Sequence, residues 1–169
     1  MKKVLFFSVM CLMALAIASC DKDSEGTGTG GGGTTAEYVD LGLPSGTKWK
    51  TINERGHYSF DYARRTFNNN LPTTSDAGKL PTEEQFKELI NKCQWSWSYY
   101  GYMVTGPNDN VIFLPASGIS DPVGNVEYHD KQGGYWSSTY YRLLFIYEGG
   151  VYMTSNMSDR YSVRLVQNP

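Results

Sequence analysis

The chain has 169 residues and a formal net charge of −2 at pH 7, and beyond Lys2-Lys3 its longest basic block is Arg64-Arg65. Such a surface offers no track for a phosphate backbone, so nucleic acid and an anionic membrane surface are both poor partners and no nucleic acid is expected. All 13 tyrosines and 4 tryptophans lie beyond residue 37, so stability is expected from aromatic packing.

The first residues run from a cationic start at Lys2 and Lys3 through an apolar stretch, Val4 to Ala18, to small residues before Cys20. That is the order of a secretory leader, and the stretch falls short of the roughly 20 apolar residues that span a bilayer. Ile17-Ala18-Ser19-Cys20 resembles the lipobox of bacterial lipoproteins, which implies cleavage after residue 19 and a lipid on Cys20. The expected organisation is a signal peptide over 1–19, a lipidated cysteine and tether over 20–35, and one domain over 36–169. The tether carries Asp21, Asp23 and Glu25, then a Gly/Thr run without apolar side chains, and cannot bury anything. Its acidic start resembles the surface-export signal of lipoproteins in the Bacteroides group, implying an outer-membrane anchor and display at the cell surface. Once Cys11 leaves with the leader and Cys20 is acylated, only Cys93 remains, and no internal disulfide can form.

Within the domain, Glu37 to Leu43 and Thr47 to Ile52 predict a hairpin around Pro44-Ser45-Gly46. Asn53 to Lys79 reads mostly as loop, including Asn68-Asn69-Asn70, with one helical turn near Phe60 to Thr66. Thr82 and Gln85 stand at capping-box spacing, and Phe86, Leu89, Ile90 and Cys93 follow as one apolar helix face. Cys93 is thus expected to be a core thiol. Tyr102 to Thr105 and Val111 to Leu114 predict strands joined by the turn Gly106 to Asn110. Leu143 to Glu148 and Val151 to Thr154 predict a hairpin with Gly149-Gly150 as its loop, placing Tyr147 opposite Tyr152 and Ile146 opposite Met153. A last strand is expected over Tyr161 to Val166, with Tyr161, Val163 and Leu165 alternating with Ser162 and Arg164. Helices early and many short strands late make the class α+β.

Five fragments then occur in order: Tyr38 to Trp49, Leu80-Pro81-Thr82, Ile112 to Gly118, Gly134 to Ser138, and Ser162 to Val166. Together they resemble the Fibrobacter succinogenes major paralogous domain, related to the DUF1566 family, over nearly all of 36–169. The resemblance implies a C-type-lectin-like fold: first and last strands side by side, the helix after Leu80-Pro81-Thr82 packed on the sheet, and a long irregular loop region. The sequence departs from the pattern at Lys79, where a Trp-Arg pair is common, and at Thr51-Ile52-Asn53.

The same superfamily includes formylglycine-generating enzymes, whose chemistry needs paired cysteines. With Cys93 alone, on an apolar helix face, no catalytic residue is expected. His57 and His129 have no ligand or triad spacing and read as surface residues. Asn108-Asp109-Asn110 has oxygen ligands for calcium, but turn chemistry accounts for the same residues, and neither metal nor cofactor is expected. Sugar rings stack on exposed aromatics while amides and carboxylates take their hydroxyls. Candidate ligand contacts are therefore Tyr99, Tyr100, Tyr128, His129, Asp130, Tyr140 and Tyr141, against the plainer reading that they pack on the core or on one another. Trp49, Trp95, Trp97 and Trp136 read as core, and Arg164 as the anchor of a structural hydrogen-bond network. The expected function is non-enzymatic recognition of a glycan or protein by a surface lipoprotein, as in adhesion. The alternative is a structural or accessory subunit of a surface assembly or fimbria, docking through strand edges.

Overall fold

A computed structural model describes residues 38–68 and 78–169. The expected leader, Cys20, the tether, and Asn69 and Asn70 lie outside the described residues. The elements are β1 (Tyr38–Asp40), β2 (Lys48–Lys50), α1 (Phe60–Asn68), α2 (Glu83–Lys92), β3 (Gln94–Ser98), β4 (Gly101–Thr105) and β5 (Val111–Pro115). After them come β6 (Ile119–Ser120), β7 (Val126–Glu127), β8 (Gln132–Trp136), β9 (Arg142–Tyr147), β10 (Gly150–Ser155) and β11 (Val166–Gln167). Two helices with several small antiparallel sheets are the α+β class expected.

The opening hairpin forms as predicted, with Asp40 opposite Lys48 and the Gly46 N–H donating to the Leu43 carbonyl at 2.8 Å. The last strand joins the same sheet but lies beside β2, giving the order β1-β2-β11, so the first and last strands are not neighbours. Trp49 in β2 is the fully buried side chain, and Val166 pairs opposite it, so burial puts β2 in the middle.

The segment read as one helical turn is a nine-residue helix, because Phe60, Ala63 and Phe67 line one face against the core. In α2 the capping box is present: Gln85 N–H donates to Thr82 Oγ1 at 3.2 Å, and Thr82 N–H to Gln85 Oε1 at 2.9 Å. The Gln85 amide also donates to Thr47 Oγ1 and Asn168 Oδ1, tying the cap to the first hairpin and the chain end. Glu83 takes a bidentate pair from Arg142 at 2.9 and 3.0 Å, fastening the helix start to β9. Phe86 and Leu89 are fully buried, while Ile90 and Cys93 are half-buried at the core edge.

The sheet β10-β9-β8 divides two apolar clusters. Leu144, Ile146 and Tyr135 face the cluster around Trp49, Phe86 and Leu114, while Leu143 and Trp136 face the one around Phe60, Tyr161 and Val163. Alternation along a strand sends successive side chains to opposite faces, so the unbroken apolar run Leu143 to Ile146 is a strand buried on both sides. The β9–β10 register differs from expectation. Tyr147 pairs with Gly150 and Phe145 with Tyr152, so the loop is Glu148-Gly149. The slip is two residues, which keeps every side chain on its predicted face, and Tyr147 and Tyr152 remain diagonal neighbours 6.2 Å apart.

The alternation expected from Tyr161 to Val166 does not hold. The whole segment is buried, Ser162 at 2% and Arg164 at 1% exposure, because it threads between elements on both sides. Arg164 carries the expected network: Nε donates to Asn53 Oδ1 at 2.8 Å, and the two terminal nitrogens to the Lys50 and Phe113 carbonyls at 2.7 Å each.

Candidate functional site

The seven candidate side chains fall on three loops. Tyr99 and Tyr100 form the two-residue loop of the β3–β4 hairpin, Tyr128, His129 and Asp130 precede β8, and Tyr140 and Tyr141 precede β9. Tyr140 and Tyr141 sit 4.3 Å apart and both rest on Phe60 in α1, which is the self-packed arrangement. Tyr100 stands edge-on to Phe113 at 5.5 Å. His129 Nδ1 is 2.9 Å from Asp130 Oδ1, both side chains being exposed.

Tyr99 and Asp130 come together in a cleft of about 570 Å³, lined also by Trp97, Lys131, Gln132, Tyr147 and Glu148. That volume lies within the roughly 300–1,000 Å³ of small-molecule sites. The cleft is built where the β3–β4 and β9–β10 hairpin tips meet the start of β8. Nothing in the sequence pattern marks the five additional residues as neighbours, and Trp97, expected in the core, is half-buried and lines the cleft. The one available signal is that Tyr147 and Glu148 end a strand at a glycine-rich hairpin tip, where binding residues tend to collect.

The walls are fixed from behind. The Tyr102 hydroxyl donates to the Tyr147 carbonyl at 3.1 Å, and the Tyr102 ring meets Trp97 edge-on at 5.0 Å. Burial first, then the neighbouring Tyr147 and Glu148, raises the Tyr102 phenol above its ordinary value of 10.0, so it stays a donor. The Tyr147 ring lies across Gly149, where a Cβ would come within 2.4 Å of it. Behind Asp130, its own N–H donates to the Ala116 carbonyl at 2.8 Å, and the N–H groups of Lys131 and Gln132 both donate to the Tyr128 carbonyl at 3.0 Å.

Among the described residues five non-glycine positions have positive φ; Tyr99 and Asp130 line the cleft, Tyr128 lies just before it in the chain, and Asp109 and Tyr141 lie elsewhere. Tyr99, Tyr128 and Asp130 have φ of 56°, 57° and 64°. Aspartate tolerates this left-handed region, whereas a tyrosine there costs about 1–2 kcal/mol. Tyr99 is 92% exposed and so offsets little of that cost by burial. A ring held in a strained turn yet left in solvent contributes nothing evident to the fold, and such outliers cluster at ligand contacts.

Other candidates are accounted for otherwise. The amide groups of Asn108 and Asn110 both donate to the Asp40 carbonyl, at 3.0 and 2.8 Å, and Asn108 Oδ1 accepts from the Asn110 N–H, so these residues staple the β4–β5 turn to β1. Among the described residues no group of three or more His, Cys, Asp or Glu could hold a metal. His57 is not a surface residue. It is half-buried beside the Ser117–Gly118 backbone, its Nε2 has no hydrogen-bond partner among the described residues, and burial lowers its pKa from 6.5. Burial, then the Glu88 carboxylate, pushes the Cys93 thiol from 9.0 up to about 11. Negligible thiolate is therefore present at neutral pH. Iodoacetamide at pH 7.5 should leave Cys93 unlabelled in the native protein and label it promptly in denaturant; mass spectrometry reads the difference, and native labelling at the denatured rate would refute the assignment.

Comparison of the chain with family models, with curated proteins and with solved structures finds no match.

Proposed function

We propose that the domain is a non-enzymatic extracellular recognition module of an outer-membrane lipoprotein, held by acylated Cys20, which binds a glycan or protein through the cleft between Tyr99 and Tyr147. One observation carries this reading: three loops far apart in sequence converge so that aromatic rings and hydrogen-bonding side chains share one pre-organised hollow. The finer fold assignment, C-type-lectin-like and akin to the Fibrobacter succinogenes major paralogous domain, belongs to the same proposal. It is supported by the opening hairpin sharing a sheet with the last strand, and by α2 packing against β9 and β10.

The glycan arm is favoured because the hollow mixes aromatic faces with acceptors, Asp130 and Glu148, suited to sugar hydroxyls. The mature lipoprotein in detergent micelles, applied to a glycan array, is expected to bind a defined set of sugars and to lose at least tenfold in affinity on Tyr147→Ala. A silent array together with co-purification of a surface polymer would replace this reading with the rival one, a structural subunit. One observation favours that rival: β10, six residues long, is an edge strand paired only with β9 among the described strands.

A further inference from the structure

Resting on the recognition reading above, we infer that the cleft selects uncharged sugar rings and turns away uronic and sulfated ones, with Tyr99 as the stacking platform. Asp130 and Glu148 set two carboxylates in the wall against the single ammonium of Lys131. A carboxylate or sulfate on the ligand would surrender water to enter a hollow whose fixed charges are mostly of its own sign, with two carboxylates set against one ammonium. A sugar hydroxyl meets the opposite situation. His129 Nδ1 stands 2.9 Å from one oxygen of Asp130, and the other Asp130 oxygen and the Glu148 carboxylate can take donors from sugar hydroxyl groups as charge-assisted bonds.

The platform follows from the geometry of the loop tip. The C–H face of a pyranose is apolar and wants an aromatic face that is open to solvent and held still. Tyr99 is the most exposed large apolar side chain of the cleft, and it stands on a two-residue loop whose flanking residues, Ser98 and Gly101, are paired in the β3–β4 ladder. Its φ of 56° suits glycine better than tyrosine, so the side chain can be removed there without removing anything the fold uses.

That separation makes the test clean. The full mature chain in detergent micelles is titrated calorimetrically with neutral hexasaccharides of glucose, mannose, xylose and N-acetylglucosamine, and with polygalacturonate and dextran sulfate of similar length. At least one neutral sugar is expected to bind tenfold or more tightly than either acid. Tyr99→Gly should lower that affinity at least tenfold while the melting temperature stays at or above that of the parent, and Asp130→Asn with Glu148→Gln should narrow the gap between neutral and acidic ligands. Equal or tighter binding of the acids, or unchanged affinity in Tyr99→Gly, would overturn the inference and leave the recognition reading standing. Binding of neither class would overturn the inference and, with it, the glycan arm of the recognition reading.

Discussion

Arg164→Met is expected to lower the stability of the domain by about 3 kcal/mol, although methionine is a good volume match for a buried arginine stem. The guanidinium is buried, and its three bonds go to neutral acceptors, Asn53 Oδ1 and the carbonyls of Lys50 and Phe113. Burial lowers its pKa, so removing the charge relieves some desolvation. Against that relief stand three buried acceptors left without donors, each costing about 1–3 kcal/mol. The acceptors win because they belong to three separate segments that no other described group joins in this way. Arg164→Lys should recover little, since one ammonium cannot reach three acceptors set around a planar fork. Urea unfolding of both variants is the measurement, and a loss below about 1 kcal/mol in Arg164→Met would contradict the account.

A comparable loss, about 3 kcal/mol or more, is expected for Gly106→Ala. The cause is contact and not backbone conformation. A Cβ at Gly106 would stand 2.1 Å from the Leu41 carbonyl oxygen and 2.7 Å from the Leu41 Cβ, and Leu41 is fully buried. The obstacle is backbone, already pulled towards the turn by the two asparagine amides on Asp40, so it cannot step aside as a long side chain would. Gly56→Ala is the control, because nothing lies within 4 Å of its new Cβ and only its φ of +94° opposes the change. A thermal melt in which Gly106→Ala matched that control would refute the close-contact explanation.

Local chemistry in the sequence accounts for much of the fold. The α2 start is written in Thr82 and Gln85, three residues apart, and the opening hairpin in Pro44-Ser45-Gly46, because both depend on neighbours along the chain. The β9–β10 pair was legible in its faces but not its register, since two-residue loops at Glu148-Gly149 and at Gly149-Gly150 differ by a slip that leaves the hydrophobic pattern unchanged. Strand β3 gave no such cue: Gln94, Ser96 and Ser98 interleave with two tryptophans, and serine has no strand preference to set against that of its neighbours. Strand β8 is hidden by Gly133-Gly134, where small residues make room for Tyr161 and the Ala116–Ser117 backbone. The candidate site was half legible. Tyr99 and Asp130 could be chosen as exposed side chains, but their meeting with Trp97, Gln132 and Tyr147 depends on hairpin packing that no local pattern encodes.

Strand β9 is a party wall between two rooms of apolar side chains, Leu143 and Phe145 facing one and Leu144 and Ile146 the other. Neither room can be emptied while the wall stands, and the wall cannot fall without emptying both, so the two clusters are bound to melt in one cooperative step. The tips at Tyr99 and Glu148 lie outside that bargain. Yet Tyr102, rooted in the room of Trp49 and Phe86, reaches out to the Tyr147 carbonyl, so the interior that melts as one also keeps the rim of the cleft in shape.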